Sequence, residues 1–162
     1  MLDGAAASCG SAARAGPDEQ PGTAPGLRRF ADKYVKRALA ENPQDAEVLT
    51  ALGFLMQKQR NLRAAGAAEE LALKADPLDG VAESNLGILA AQSGELKKAE
   101  RLLRDAFERV PGTSAIGMNL AKTLAAEGKV QDARGVVERV LEFNPDYPEG
   151  EQMLQELGRA TH

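Results

Sequence analysis

The sequence predicts an all-α fold built as a row of short helical hairpins. Three observations carry that expectation. Apolar residues recur three and four positions apart, so that Leu86, Leu89 and Ala90 share one stripe, while Leu96, Ala99, Leu102, Leu103 and Ala106 share another. Pro43, Pro77, Pro111 and Pro145 recur at one step, the differences 77−43, 111−77 and 145−111 all being 34. Turn chemistry recurs midway between them, as Asn61-Leu62, Gly94-Glu95-Leu96 and Gly128-Lys129-Val130. A fixed period of this size marks supersecondary units that each bury one face on the next.

The stretch from Pro77 to Pro111 shows the unit most clearly. One helix is expected over about 80–92 and a second over about 95–109. Asp79 is placed to cap the first with its carboxylate. Ser93-Gly94 breaks the chain between them, and Pro111 stops the second. Such a hairpin cannot cover its own apolar stripes, so it needs neighbours on both sides.

The neighbours repeat it column by column. Leu52, Leu86 and Leu120 recur, followed by Gly53, Gly87 and Ala121. Small residues recur as Ala31, Ala65, Ala99 and Ala133, and again as Ala38, Ala72 and Ala106, where Val140 is fourth. A larger apolar residue stands at Val35, Leu103 and Val137. With its Leu-Gly pair, its alanines and its closing proline, the chain resembles the tetratricopeptide repeat family over about residues 27–147.

That resemblance implies a right-handed α–α superhelix, a solenoid of three full hairpins with an N-terminal half-repeat helix and a C-terminal capping helix. The divisions expected are a leader at 1–26, the half-repeat helix at 27–44, repeats at 46–79, 80–113 and 114–147, and the cap at 148–160. The leader is rich in Ala, Gly, Ser and Pro without helical period, which reads as linker. The cap carries Met153, Leu154 and Leu157 on one side and Glu149, Glu151, Gln152 and Glu156 on the other. One face is for the last repeat and one for water.

Two departures from the family pattern matter. Positions where the family favours Trp and Tyr hold Leu49, Glu83 and Gly117, then Met56, Ala90 and Leu124, so an aliphatic core is expected. Glu69 stands where the columns call for an apolar residue. Burying an unpaired carboxylate costs several kcal/mol. Glu69 is therefore expected to reach solvent, with Ala68 and Leu71 packing instead, and the first repeat to be the loosest.

The resemblance also implies a concave wall lined by the first helix of each hairpin, commonly a seat for an extended peptide or a partner's helix. The inward positions are then Glu47, Thr50, Ala51, Phe54 and Lys58, followed by Val81, Ser84, Asn85, Ile88 and Gln92, and by Ala115, Met118, Asn119 and Lys122. Asn85 and Asn119 lie one period apart. Each amide offers a donor and an acceptor, suited to a peptide backbone of any sequence. The same two side chains are equally suited to bonds inside the scaffold. Phe54, Val81, Ile88 and Met118 would add apolar contact, and Lys122 a cation. Thr50, Ser84 and Met118 stand where a clamp for a chaperone's terminal carboxylates would want basic residues, so that mode is not expected.

The expected function is thus a protein-interaction scaffold, with self-assembly or service as a non-catalytic part of a larger protein as the alternative. Leu27, Phe30 and Tyr34 offer an apolar edge for a homodimer. Arg28, Arg29, Lys33, Lys36 and Arg37 beside it read as a solvated face.

Composition closes off other classes. The 162 residues carry a formal charge of −4, which gives no general attraction to nucleic acid. Cys9 and His162 are single, so no disulfide, zinc site or Cys/His catalytic pair is available within the chain. No nucleophile–base pair or phosphate loop is present, so no enzyme activity and no cofactor are expected. Glu69-Glu70 and Glu138 read as solvated. The segment before Cys9 lacks the apolar run of a signal peptide, and no run is long enough to cross a bilayer. A soluble protein with a protein or peptide partner is the expectation; the sequence leaves the compartment open, with the cytoplasm favoured.

Overall fold

The computed structural model describes residues 33 and 35–159, and they are helical apart from turns. Residues 35–41 form α1. It is followed by α2 (Ala46–Lys58), α3 (Leu62–Ala75), α4 (Gly80–Gln92), α5 (Leu96–Arg109), α6 (Ser114–Ala126), α7 (Val130–Phe143) and α8 (Pro148–Arg159). From α2 onward each helix packs on the next in the chain. The tightest pairs are α2 with α3, α4 with α5 and α6 with α7. Helices α2, α4 and α6 also touch in series, so the first members of the pairs line one face. No described helix is long and apolar enough to cross a membrane.

The ends of the helices follow from local chemistry. Asp45 accepts from the Val48 amide at 3.1 Å, and Asn61 accepts from that of Ala64 at 3.2 Å. Asp79 accepts from Val81 and Ala82 at 2.9 and 3.0 Å. Each bond satisfies an amide that the first turn leaves without a helical partner. The turns inside the pairs pass through left-handed backbone at Gly94 (φ 80°) and Gly128 (φ 78°). Arg60 holds the same place in the first pair at φ 61°, where a side chain is strained.

Two apolar clusters result. The larger runs from α4 to α8 and is filled by Leu103, Phe107, Met118, Leu120, Leu124, Val137 and Val140, with Met153 and Leu157 closing it from α8. The smaller holds Leu49, Ala72 and Ala82, with Leu39 and Leu73 against them. The N-terminal pair is thus joined to the next by the smaller apolar cluster. Ion pairs brace the larger part. Arg139 holds both Glu108 oxygens, at 2.6 and 3.2 Å, and Arg109 reaches Glu83 at 2.9 Å.

The core differs from an aliphatic one at one point. Phe107 is among its largest buried side chains, and its ring fills the space that Gly117 leaves empty, together with Val140. Bulk missing from α6 is supplied from α5. The Arg139 guanidinium lies 4.9 Å over the ring centre, a cation–π contact.

Glu69 departs from expectation altogether. It is 1% exposed, whereas Leu71 is 51% exposed. The reason is its place in the packing. Leu103 seats itself over Gly87 one repeat on, and Glu69 does the same over Gly53, whose missing Cβ leaves room for the carboxyl group. Turning α3 to release Glu69 would expose Ala65 and Ala72, which are fully buried. Leu71 lies two residues on, about 200° around the helix, and so faces water. Glu70 and Glu138 are exposed. Leu27, Phe30 and Tyr34, the expected self-association edge, lie outside the described residues, as do Cys9 and His162.

Candidate functional site

The face formed by the first helices carries three clefts in a row. Between α2 and α4 lies one of about 760 Å³, lined by Phe54, Gln57, Lys58, Arg60, Leu62, Asn85, Ile88 and Gln92. Between α4 and α6 lies one of about 310 Å³, lined by Ile88, Ala91, Gln92, Leu96 and Leu103 on one wall and Asn119, Lys122, Thr123 and Ala126 on the other. A third, of about 180 Å³, joins Met118 and Lys122 to Glu149, Gln152, Met153 and Glu156 of α8. Ile88 and Gln92 belong to the first two, and Lys122 to the last two. The clefts are therefore one continuous groove.

Its polarity comes from side chains without ion pairs or side-chain hydrogen bonds among the described residues. Phe54 is 48% exposed, with the Lys58 ammonium 4.9 Å above its ring centre. Lys58, Arg60 and Lys122 have no carboxylate within ion-pair distance among the described residues. Asn119 is half-buried, and its backbone carbonyl accepts from Thr123 Oγ1 at 2.8 Å. Its amide makes no hydrogen bond to a described residue.

Asn85 is different. Its Nδ2 donates to Glu69 Oε1 at 2.9 Å, so one end of this amide is engaged inside the scaffold. Burial pushes the Glu69 carboxyl up to about 8; the Asn85 bond pulls it back and the Asp79 carboxylate adds to the rise. Thr50, expected on the groove wall, instead donates to Asp79 at 2.9 Å.

The structure thus gathers Phe54, Asn85, Ile88, Asn119 and Lys122 along one groove. Val81 is exposed but lines none of the three clefts. Met118 is 2% exposed, because α8 covers it, and it adds to the core more than to the surface. Ser84 is buried as well. The wall residues that sequence reasoning missed are Gln57, Arg60 and Leu62 at the α2–α3 turn and Glu149, Gln152 and Glu156 on α8. The polar side of the cap helix was visible in the sequence; its nearness to Lys122 needed the packing of α8.

A comparison with known families matches residues 90–157 to the tetratricopeptide repeat. Residues 90–157 carry tetratricopeptide repeats. Solved structures agree over a wider span. The first such repeat domain of Spaghetti (RPAP3), bound to the HSP90 peptide SRMEEVD, is 24% identical with a TM-score of 0.68, covering 73% of this chain and 96% of that one. PilF of Pseudomonas aeruginosa is 21% identical with a TM-score of 0.77, covering 84% and 62%. MamA is 18% identical with a TM-score of 0.73, covering 84% and 80%. These likenesses concern the repeat fold. No curated protein matches the chain at a significant level.

Proposed function

We propose that this tetratricopeptide repeat chain is a protein-interaction scaffold whose first-helix face binds an extended peptide or a partner helix. The observation behind this is the continuity of the groove through Ile88, Gln92 and Lys122. It runs past an exposed ring at Phe54 and, among the described residues, an amide without a hydrogen bond at Asn119 and three cations without carboxylates. A repeat domain of the same fold holds a peptide in the Spaghetti structure.

Geometry sets the ligand's length. Packed helices sit about 10 Å apart, and an extended chain rises about 3.3 Å per residue, so each helix-to-helix step takes about three residues. The three steps from α2 to α8 then seat about nine. The test is capture from a lysate by the wild type, by the Phe54→Ala, Asn119→Ala double variant, and by Leu71→Ser on the exposed side of α3. Species lost on the double variant and kept on Leu71→Ser support the groove. Equal capture by all three rejects it.

A further inference from the structure

The groove's two asparagines, one repeat apart, are held differently, and the difference lies behind them rather than in the groove. Behind Asn119 the packing column carries Leu103, an apolar side chain that lines the same cleft. Behind Asn85 the column carries Glu69, seated over Gly53 and bonded to Asn85 Nδ2 at 2.9 Å. The second carboxyl oxygen, Oε2, is buried and has no hydrogen-bond partner among the described residues. One amide is oriented, and the other is free to turn.

Hydrogen-bond chemistry gives that orientation a consequence. A carboxylate can only accept, whereas a carboxylic acid also donates through its hydroxyl. Facing an ionised Glu69, the Asn85 amide must keep its nitrogen inward, which points Oδ1 toward the cleft. Facing a protonated Glu69, either end of the amide can be satisfied, because the hydroxyl can donate to Oδ1 and the NH₂ can turn outward. The proton on Glu69 therefore decides which end of Asn85 a ligand meets.

We propose that Glu69 is a positioning residue for the groove: ionised, it fixes the Asn85 amide with its oxygen toward the ligand, so that this position recognises hydrogen-bond donors such as peptide N–H groups, and protonated, it releases the amide. This rests on the groove being the binding face. The charged group facing Glu69 is Asp79, at the start of α4, itself held by Thr50 of α2. Elsewhere α2 meets the carboxyl with Gly53, and α4 meets it with Asn85. With the carboxyl at about 8, the release is centred near pH 8 and largely complete at neutral pH.

The titration is followed by NMR on the full chain between pH 6 and pH 9.5. It uses the Glu69 Cδ shift and the Asn85 side-chain ¹H–¹⁵N shifts in wild type, Glu69→Gln and Glu69→Leu, each first shown to have equal helicity. The expected result is that the Asn85 amide shifts follow Glu69 through one midpoint near 8, and stay flat in both variants. An Asn85 amide that is flat in the wild type, or that titrates equally in Glu69→Leu, overturns the coupling. Recognition is tested with a nine-residue peptide selected from a random library on the wild type and dependent on Phe54. Its affinity should be more than twofold higher at pH 9 than at pH 6 in the wild type, with that ratio lost in Glu69→Leu. An unchanged ratio overturns the positioning role. If the library yields no Phe54-dependent peptide, the groove reading fails and recognition by Asn85 falls with it, while the coupling is decided by the titration alone.

Discussion

Replacing Glu69 by leucine converts the buried-acid geometry into a pH dependence of stability. In the unfolded chain the carboxyl loses its proton near 4.5; in the folded chain it keeps it up to about 8. Between those values the folded state binds more protons, so raising the pH favours unfolding and stability falls. Full linkage over that span amounts to about 5 kcal/mol at about 1.4 kcal/mol per tenfold change, and the part between pH 6 and pH 8 to about 2 kcal/mol. Glu100, held at about 2 by Lys129 and Arg104, adds stability above 4.5 that is lost progressively as pH falls from there through 2, outside this window. Glu83, raised by burial against the pull of Arg109, tilts the same way as Glu69 but is present in both proteins. Leucine suits the site because Leu103 solves the same packing over Gly87. The assay is urea unfolding followed by circular dichroism at pH 6, 7 and 8. The wild type should lose about 2 kcal/mol across the series, and Glu69→Leu should remove most of that slope and be the more stable protein at pH 8. A wild-type stability that is level or rising, or an equal slope in the variant, refutes the buried-acid account.

Four further substitutions probe the scaffold. Arg60→Gly should stabilise the fold by about 1 kcal/mol, because Arg60 occupies the left-handed turn position that Gly94 and Gly128 fill elsewhere; an unchanged unfolding midpoint would count against strain there. Asp79→Ala should cost about 1 kcal/mol through loss of the α4 cap and the Thr50 bond, and should lower the Glu69 midpoint by removing a like charge. Gly117→Ala should destabilise by about 1–3 kcal/mol, since its Cβ would strike Val140 and Phe107, whereas Gly135→Ala meets nothing and should stabilise by up to about 1 kcal/mol. Thermal melts of that pair test the packing directly, and a gain in both would show that the Phe107 seat is slack.

The repeat was legible because its punctuation is local. A proline, a capping aspartate and a glycine act within a turn of where they stand, so a 34-residue step in those residues places the helices without knowledge of the packing. Buried side chains were less legible because their fate is decided by a partner on another helix. Phe107 shares a column with Leu73 and Leu141, and its bulk was visible. What was missing was that Gly117, one helix on, leaves the matching hole. Met118 reads as a groove residue until α8 is laid over it.

Glu69 shows the same limit in sharper form. A rule about single residues sends a carboxylate to water, and it fails because Gly53 and Asn85, sixteen residues before and after it in sequence, together make a polar seat. That seat costs stability at neutral pH, and leucine at the same column one repeat on shows that the fold does not require it. What distinguishes the two columns is their contact with the groove. Leu103 offers Asn119 no hydrogen bond, while Glu69 orients Asn85 from behind. The helices beside the smaller apolar cluster are thus also the ones where the proposed binding face depends on a proton. A ligand spanning both clefts would meet a pH-sensitive end over Glu69 and an insensitive end over Leu103.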